Sequence, residues 1–155
     1  MADLDLFGGI ASIGVISSLL VSAWQARELA RQTATNTGIA AASAMYNSIE
    51  RLHYVDGCIA ADPSIGTYFY GGRSLPSEAD SRAHVLVIAR MLADTLDYGL
   101  MITKLIPDTG SYDGWRDYAL EMRRSSPALV WVVRDHPSWW PALVGHWSAN
   151  PERAA

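Results

Sequence analysis

The chain has 155 residues, with 12 basic and 16 acidic side chains, a formal charge of −4, and half of its residues hydrophobic. That length supports one domain around one core, and the acidic balance implies no basic surface, which makes nucleic acid a poor partner. Cys58 is the only cysteine, so a disulfide, a redox pair and a cysteine-based zinc site are excluded within one chain.

Leu6 to Trp24 is a run of 19 residues without a charge. As a helix it is roughly 28 Å long, close to the hydrocarbon thickness of a bilayer. Met1 to Asp5 is acidic and lacks the positive n-region of a cleaved signal peptide, although Val21-Ser22-Ala23 resembles a cleavage site. Three glycines and four serines dilute the run, so a helix buried in a soluble domain is the competing expectation. A retained transmembrane helix fits best. Trp24 stands where an interfacial aromatic belongs, and Arg27 and Arg31 follow it with no basic residue before the span. The positive-inside bias then places residues 1–5 outside a bacterial plasma membrane and the rest of the single-pass chain in the cytoplasm. Gly14, Ser18 and Ser22 recur every four residues and offer a stripe of small side chains for helix contact in the membrane, and hence a route to a homo-oligomer.

Residues 25–38 are polar and lack proline, and they read as a helical stalk continuing the span. A helical bundle is expected over 39–148, with a flexible tail at 149–155. Ile39, Ala42, Met45, Ile49 and Leu52 follow helical spacing up to about Tyr54, where Asp56-Gly57 is expected to break the helix. Asp62-Pro63 is an N-cap followed by a proline, opening a short helix through Tyr70 that Gly71-Gly72 closes. A long core helix follows Pro76-Ser77-Glu78, with Val85, Ile88, Leu92, Leu96 and Leu100 on its apolar face and Pro107 at its end. After the turn Asp108-Thr109-Gly110, a helix from about Tyr112 to Arg124 turns Trp115, Tyr118, Ala119 and Met122 inward. Ser126-Pro127 repeats the capping signal before a helix over Ala128 to Asp135, and Trp139 to Trp147 makes a last short one. Only Val130 to Val133 is locally strand-like, so the fold class is all-α.

Candidate chemistry is sparse. Glu50 and His53 have the Glu-x-x-His spacing of di-iron helical bundles, but no second copy exists. Asp94 and Asp97 lie one helical turn apart, where paired carboxylates hold a divalent cation or divide acid and base roles. Arg90, four residues before Asp94, instead suggests a surface ion pair. No nucleophile elbow or phosphate-binding glycine loop is present, Cys58 has no positioning motif, and no cofactor is implied.

The aromatic residues carry the stronger signal. Trp131, Trp139, Trp140 and Trp147 crowd the last quarter, and Tyr68 and Tyr70 flank Phe69. Such residues grip a protein partner or return to the bilayer surface, or else they close the core of a small bundle. Both clusters on one surface would make a groove for an apolar or peptide ligand.

The order of Ser22-Ala23-Trp24-Gln25-Ala26-Arg27-Glu28-Leu29, Asp62-Pro63 before Tyr68-Phe69-Tyr70, and Trp115-x-x-Tyr118 before Ser126-Pro127-Ala128-Leu129 resembles small membrane-anchored helical proteins of actinomycete-like bacteria, of unknown function. The resemblance implies an anchor and a helical domain, with no activity attached. The expected function is a non-enzymatic interaction, scaffold or regulatory module at the membrane. The alternatives are a metal-dependent enzyme using Glu50, His53, Asp94 and Asp97, and a small membrane-active effector.

Overall fold

Backbone positions in the computed structural model describe residues 2–105 and 113–151, and side chains are described for 14–104 and 113–151. The chain is all-helical, and no strand occurs among the described residues. It divides into two units, residues 1–40 and 41–155. Helix α1 (Ala2–Ala61) supplies the first unit and enters the second, where α2 (Thr67–Tyr70), α3 (Ala79–Leu105), α4 (Asp113–Ser125), α5 (Pro127–Asp135) and α6 (Pro141–Ala149) follow. The Pro107 stop, the Asp108-Thr109-Gly110 turn, residues 152–155 of the tail and the side chains of Leu6 to Ile13 lie outside the described residues.

In the first unit every side chain from Gly14 to Ala40 is exposed except the half-buried Glu28, which receives hydrogen bonds from Arg31 Nη2 at 3.0 Å and Gln32 Nε2 at 3.2 Å. Those two partners hold the Glu28 carboxyl below its usual pKa, the Arg31 guanidinium contributing most. No helix among the described residues is long and apolar enough to cross a membrane. Of the expected span, only Gly14 to Trp24 falls within the residues whose side chains are described.

In the second unit α3 is the central element, packed against α4, α5 and α6. Its expected face is the core: Val85, Ile88, Leu92, Leu96 and Leu100 are all buried. Small Ala89 and Ala93 between them, also fully buried, let neighbouring helices approach closely. Trp115, Ala119 and Met122 turn inward from α4, and Ala128, Leu129, Val132 and Val133 from α5.

Helix α1 departs from expectation in two respects. It does not break at Asp56-Gly57 but runs on to Ala61. One glycine costs a helix only about 1 kcal/mol, and burial of Val55 and Ile59 on either side of it outweighs that. Its inward face also differs: Met45, Ser48, Val55 and Ile59 are buried, whereas Ile39 and Ile49 are exposed. Ser48 tolerates burial because its hydroxyl donates to Ala44 O at 3.0 Å.

The capping signals operate as expected. Asp62 Oδ1 accepts from Ser64 N at 3.1 Å and Ser64 Oγ at 2.6 Å, starting a 3-10 turn over Pro63–Ile65 ahead of α2. These bonds, chiefly the hydroxyl, hold the Asp62 carboxyl below its usual pKa. Ser126 Oγ accepts from Leu129 N at 3.2 Å to cap α5, and it donates to Tyr68 O at 3.3 Å, joining that cap to α2. Beyond α2 the backbone reverses at Gly72, at φ +67°, so that its N–H reaches Ser125 O at 2.9 Å.

Candidate interaction surface

The four C-terminal tryptophans divide into two pairs. Trp140 and Trp147 are buried, so partner contact through them is corrected to a core role. The physical reason is that each indole N–H finds an acceptor inside the bundle. Trp140 Nε1 donates to Asp94 Oδ1 at 2.7 Å and Trp147 Nε1 to Ala119 O at 3.0 Å. Trp115 on α4 behaves likewise, with Nε1 3.4 Å from Leu96 O. Trp139 is 57 % exposed and Trp131 37 % exposed. Trp139 stacks on His136 with centroids 4.2 Å apart and 13° between the planes, and meets the edge of Trp140 at 5.6 Å.

The tyrosines separate in the same way. Tyr68 is buried beneath the Arg73 guanidinium, 5.0 Å from its ring. Tyr70 keeps its ring nearly half exposed, but its hydroxyl donates to Asp56 Oδ1 at 2.6 Å beside the Tyr118 hydroxyl. Burial of the hydroxyl end, followed by the Asp56 carboxylate, raises the Tyr70 pKa well above its ordinary value, and burial raises that of Tyr118. Tyr70 is therefore tied to α1 and α4, whereas Trp139 is tied to His136 and Trp140.

Asp94 and Asp97, two of the carboxylates expected on a metal, accept hydrogen bonds from the start of α6. Asp94 accepts the Trp140 indole, and Asp97 Oδ1 accepts the backbone N–H of Leu143 at 2.8 Å. Glu50 and Asp94 do border one open cleft of about 540 Å³ with Arg51 and Tyr54, but neither His53 nor Asp97 lines it. No group of three metal-ligating side chains occurs among the described residues. Gly14, Ser18 and Ser22 are all exposed on α1.

A further surface concavity lies on α4 and α5. It is open, about 550 Å³, and lined by Arg123, Arg124, Val130, Trp131, Arg134 and Asp135. The guanidinium of Arg82 on α3 sits 5.3 Å from the centroid of the Trp131 ring. Arg124 is 3.6 Å from Glu121, and Asp135 is 3.2 Å from His136. Arg123 donates to Trp147 O at 3.0 Å and Asn150 O at 3.2 Å, bracing the end of α6. A smaller hollow of about 190 Å³ shares Arg123, Val130 and Arg134 with the first and extends to Val144 and Trp147. Sequence inspection marked Trp131 in this region but not the arginines. Arg123, Arg124 and Arg134 fall in two helices, and only the packing of α4 on α5 brings them together.

No family model, curated protein or solved structure matches the chain.

Proposed function

We propose that the chain is a non-enzymatic, membrane-tethered helical module, anchored by residues 6–24 with its bundle in the cytoplasm. The observation that carries this reading is the exposure of Val15, Ile16, Leu19, Leu20, Val21 and Trp24, all between 54 % and 67 %. At about 100° per residue these side chains spread over roughly 240° of the helix circumference, too wide for one protein-facing stripe. A helix apolar on nearly all sides belongs in lipid. Gly14, Ser18 and Ser22 occupy the remaining sector, where a second copy of the helix fits closely. The open groove lined by Arg123, Arg124, Trp131 and Arg134 supports a binding role.

Membrane fractionation with protease accessibility tests this reading. The full chain is expected in the membrane fraction, resistant to carbonate extraction, with its C-terminal end protected in sealed right-side-out vesicles or intact spheroplasts. Leu19→Arg should release it. Recovery of the unmodified chain in the supernatant without detergent overturns the anchor.

A further inference from the structure

We infer that the cleft between α1 and α3 binds a free basic amino acid, lysine or arginine, whose carboxylate and two cationic groups match three charged side chains standing there. The cleft lies wholly within the second unit and holds about 540 Å³. Asn47, Glu50, Arg51 and Tyr54 line it from α1 and Asp94 from α3, with the buried Val55 between them. A volume of that order suits a small organic ligand.

Two of the three charges are positioned by aromatic groups and not by each other. Asp94 Oδ1 accepts the Trp140 indole N–H at 2.7 Å, and its Oδ2 has no hydrogen-bond partner among the described residues. The Arg51 guanidinium lies 4.8 Å from the centroid of the Tyr98 ring. Although Glu50, Arg51 and Asp94 line one cleft, none of them forms an ion pair among the described residues. Arg90, whose spacing suggests a pair with Asp94, does not make one either. Opposite charges that share a cleft and stay apart are matched by a ligand carrying both signs, through charge-assisted hydrogen bonds.

The number of charges selects the class of ligand. Two carboxylates against one guanidinium leave the set one negative charge in excess. A basic amino acid carries the complementary set: a carboxylate for Arg51, and an α-ammonium and a side-chain cation for Glu50 and Asp94. A neutral amino acid leaves one carboxylate unmatched, and a diamine leaves Arg51 unmatched. The Tyr54 ring, 66 % exposed, adds a face for a cation, and the Asn47 amide adds a neutral donor and acceptor.

Isothermal titration calorimetry on the full chain in an uncharged detergent tests the site, with L-lysine and L-arginine as probes at neutral pH. One equivalent of either is expected to bind saturably. L-leucine, L-glutamate and cadaverine, a diamine without a carboxylate, should each bind at least about tenfold more weakly. Arg51→Gln should weaken L-lysine binding about tenfold or more and leave cadaverine unchanged, whereas Glu50→Gln should weaken both. That split follows the charge of the probe, which general loss of structure does not reproduce, and the comparison of probes on the unmodified chain needs no variant. No saturable binding of either amino acid up to about 10 mM overturns the proposal, as does L-lysine binding indifferent to Arg51→Gln, or L-leucine or L-glutamate binding as tightly as L-lysine. Cadaverine binding as tightly as L-lysine would make the cleft a polyamine site, and Nα-acetyl-L-lysine amide binding as tightly would make it a reader of lysine side chains in a protein; either result also overturns it.

Discussion

The Asp97 carboxylate on α3 accepts the backbone N–H of Leu143 at 2.8 Å and so caps a helix that it does not belong to. Residue Trp140 occupies the N-cap position of α6 and offers no side-chain acceptor, and Pro141 has no N–H. Asp97 takes over the role, and its charge complements the positive end of α6. One turn earlier Asp94 holds the Trp140 indole, so the two carboxylates grip consecutive parts of one turn. Asp97→Ala is expected to destabilise the bundle by about 1–2 kcal/mol and Asp97→Asn by less, measured by urea unfolding monitored at the tryptophans. Asp94→Ala, which strands a buried indole N–H, should cost about 1–3 kcal/mol. A double-mutant cycle should show coupling between the two positions.

Gly99 is fixed by Trp115. A Cβ at position 99 would fall 2.1 Å from the indole ring, which lies directly on the α3 backbone. Glycine to alanine in a helix ordinarily stabilises by about 1 kcal/mol. Here the sign reverses, and Gly99→Ala should cost about 2 kcal/mol or more through displacement of the ring. A chain carrying both Gly99→Ala and Trp115→Leu should recover part of that loss relative to the sum of the single changes, as judged by thermal melts.

Ser126→Ala should lower stability by about 1 kcal/mol, since the α5 N-cap disappears together with the tie to Tyr68 O. Thr at this position keeps the hydroxyl and is expected to restore most of the loss in the same denaturation measurement.

Alkaline pH should weaken the fold through Tyr70 and Tyr118. Both phenols have folded-state pKa values raised above the ordinary 10.0, so between pH 10 and those higher values the folded state retains protons that the unfolded state releases. Their stabilising contribution is complete below pH 10 and declines as pH rises beyond it. Unfolding midpoints should therefore fall with increasing pH above 10, and Tyr70→Phe should flatten that slope. Absorbance at the phenolate band should show the two groups ionising only as the bundle opens.

Trp140→Ala and Trp139→Ala should differ sharply although the residues are adjacent. The first empties a buried site 2 % exposed and is expected to cost about 3–5 kcal/mol. The second removes a ring that is mostly in solvent and should change stability by under about 1 kcal/mol. Calorimetry on the two single variants checks the contrast, and only the second is usable in a binding assay.

What was legible in the sequence was local. Asp62-Pro63 and Ser126-Pro127 announce their turns because a cap and a fixed φ act within four residues, and the α3 face from Val85 to Leu100 follows from spacing alone. What was not legible depends on residues far apart in the chain. Gly99 reads as an ordinary helix interior until Trp115 is placed on it, and Asp94 and Asp97 read as a surface pair until α6 arrives above them. In α1 the choice of Ser48 over Ile49 for the buried face is made by the packing of Val55 and Ile59 further along, not by local hydrophobicity. The groove was invisible for the same reason, since its arginines come from separate helices.

The grip of α3 on α6 also sets an order of events. Both bonds join residues 46 positions apart, so neither forms until α4 and α5 have been laid down and the loop between them closed. Until then Asp94 and Asp97 stand on a helix face with nothing to hold, next to apolar side chains awaiting Leu143 and Trp147. A chain interrupted before residue 140 thus leaves uncovered an apolar, acid-rimmed surface that a finished one conceals. Completion of synthesis is written into the fold as the moment that surface disappears.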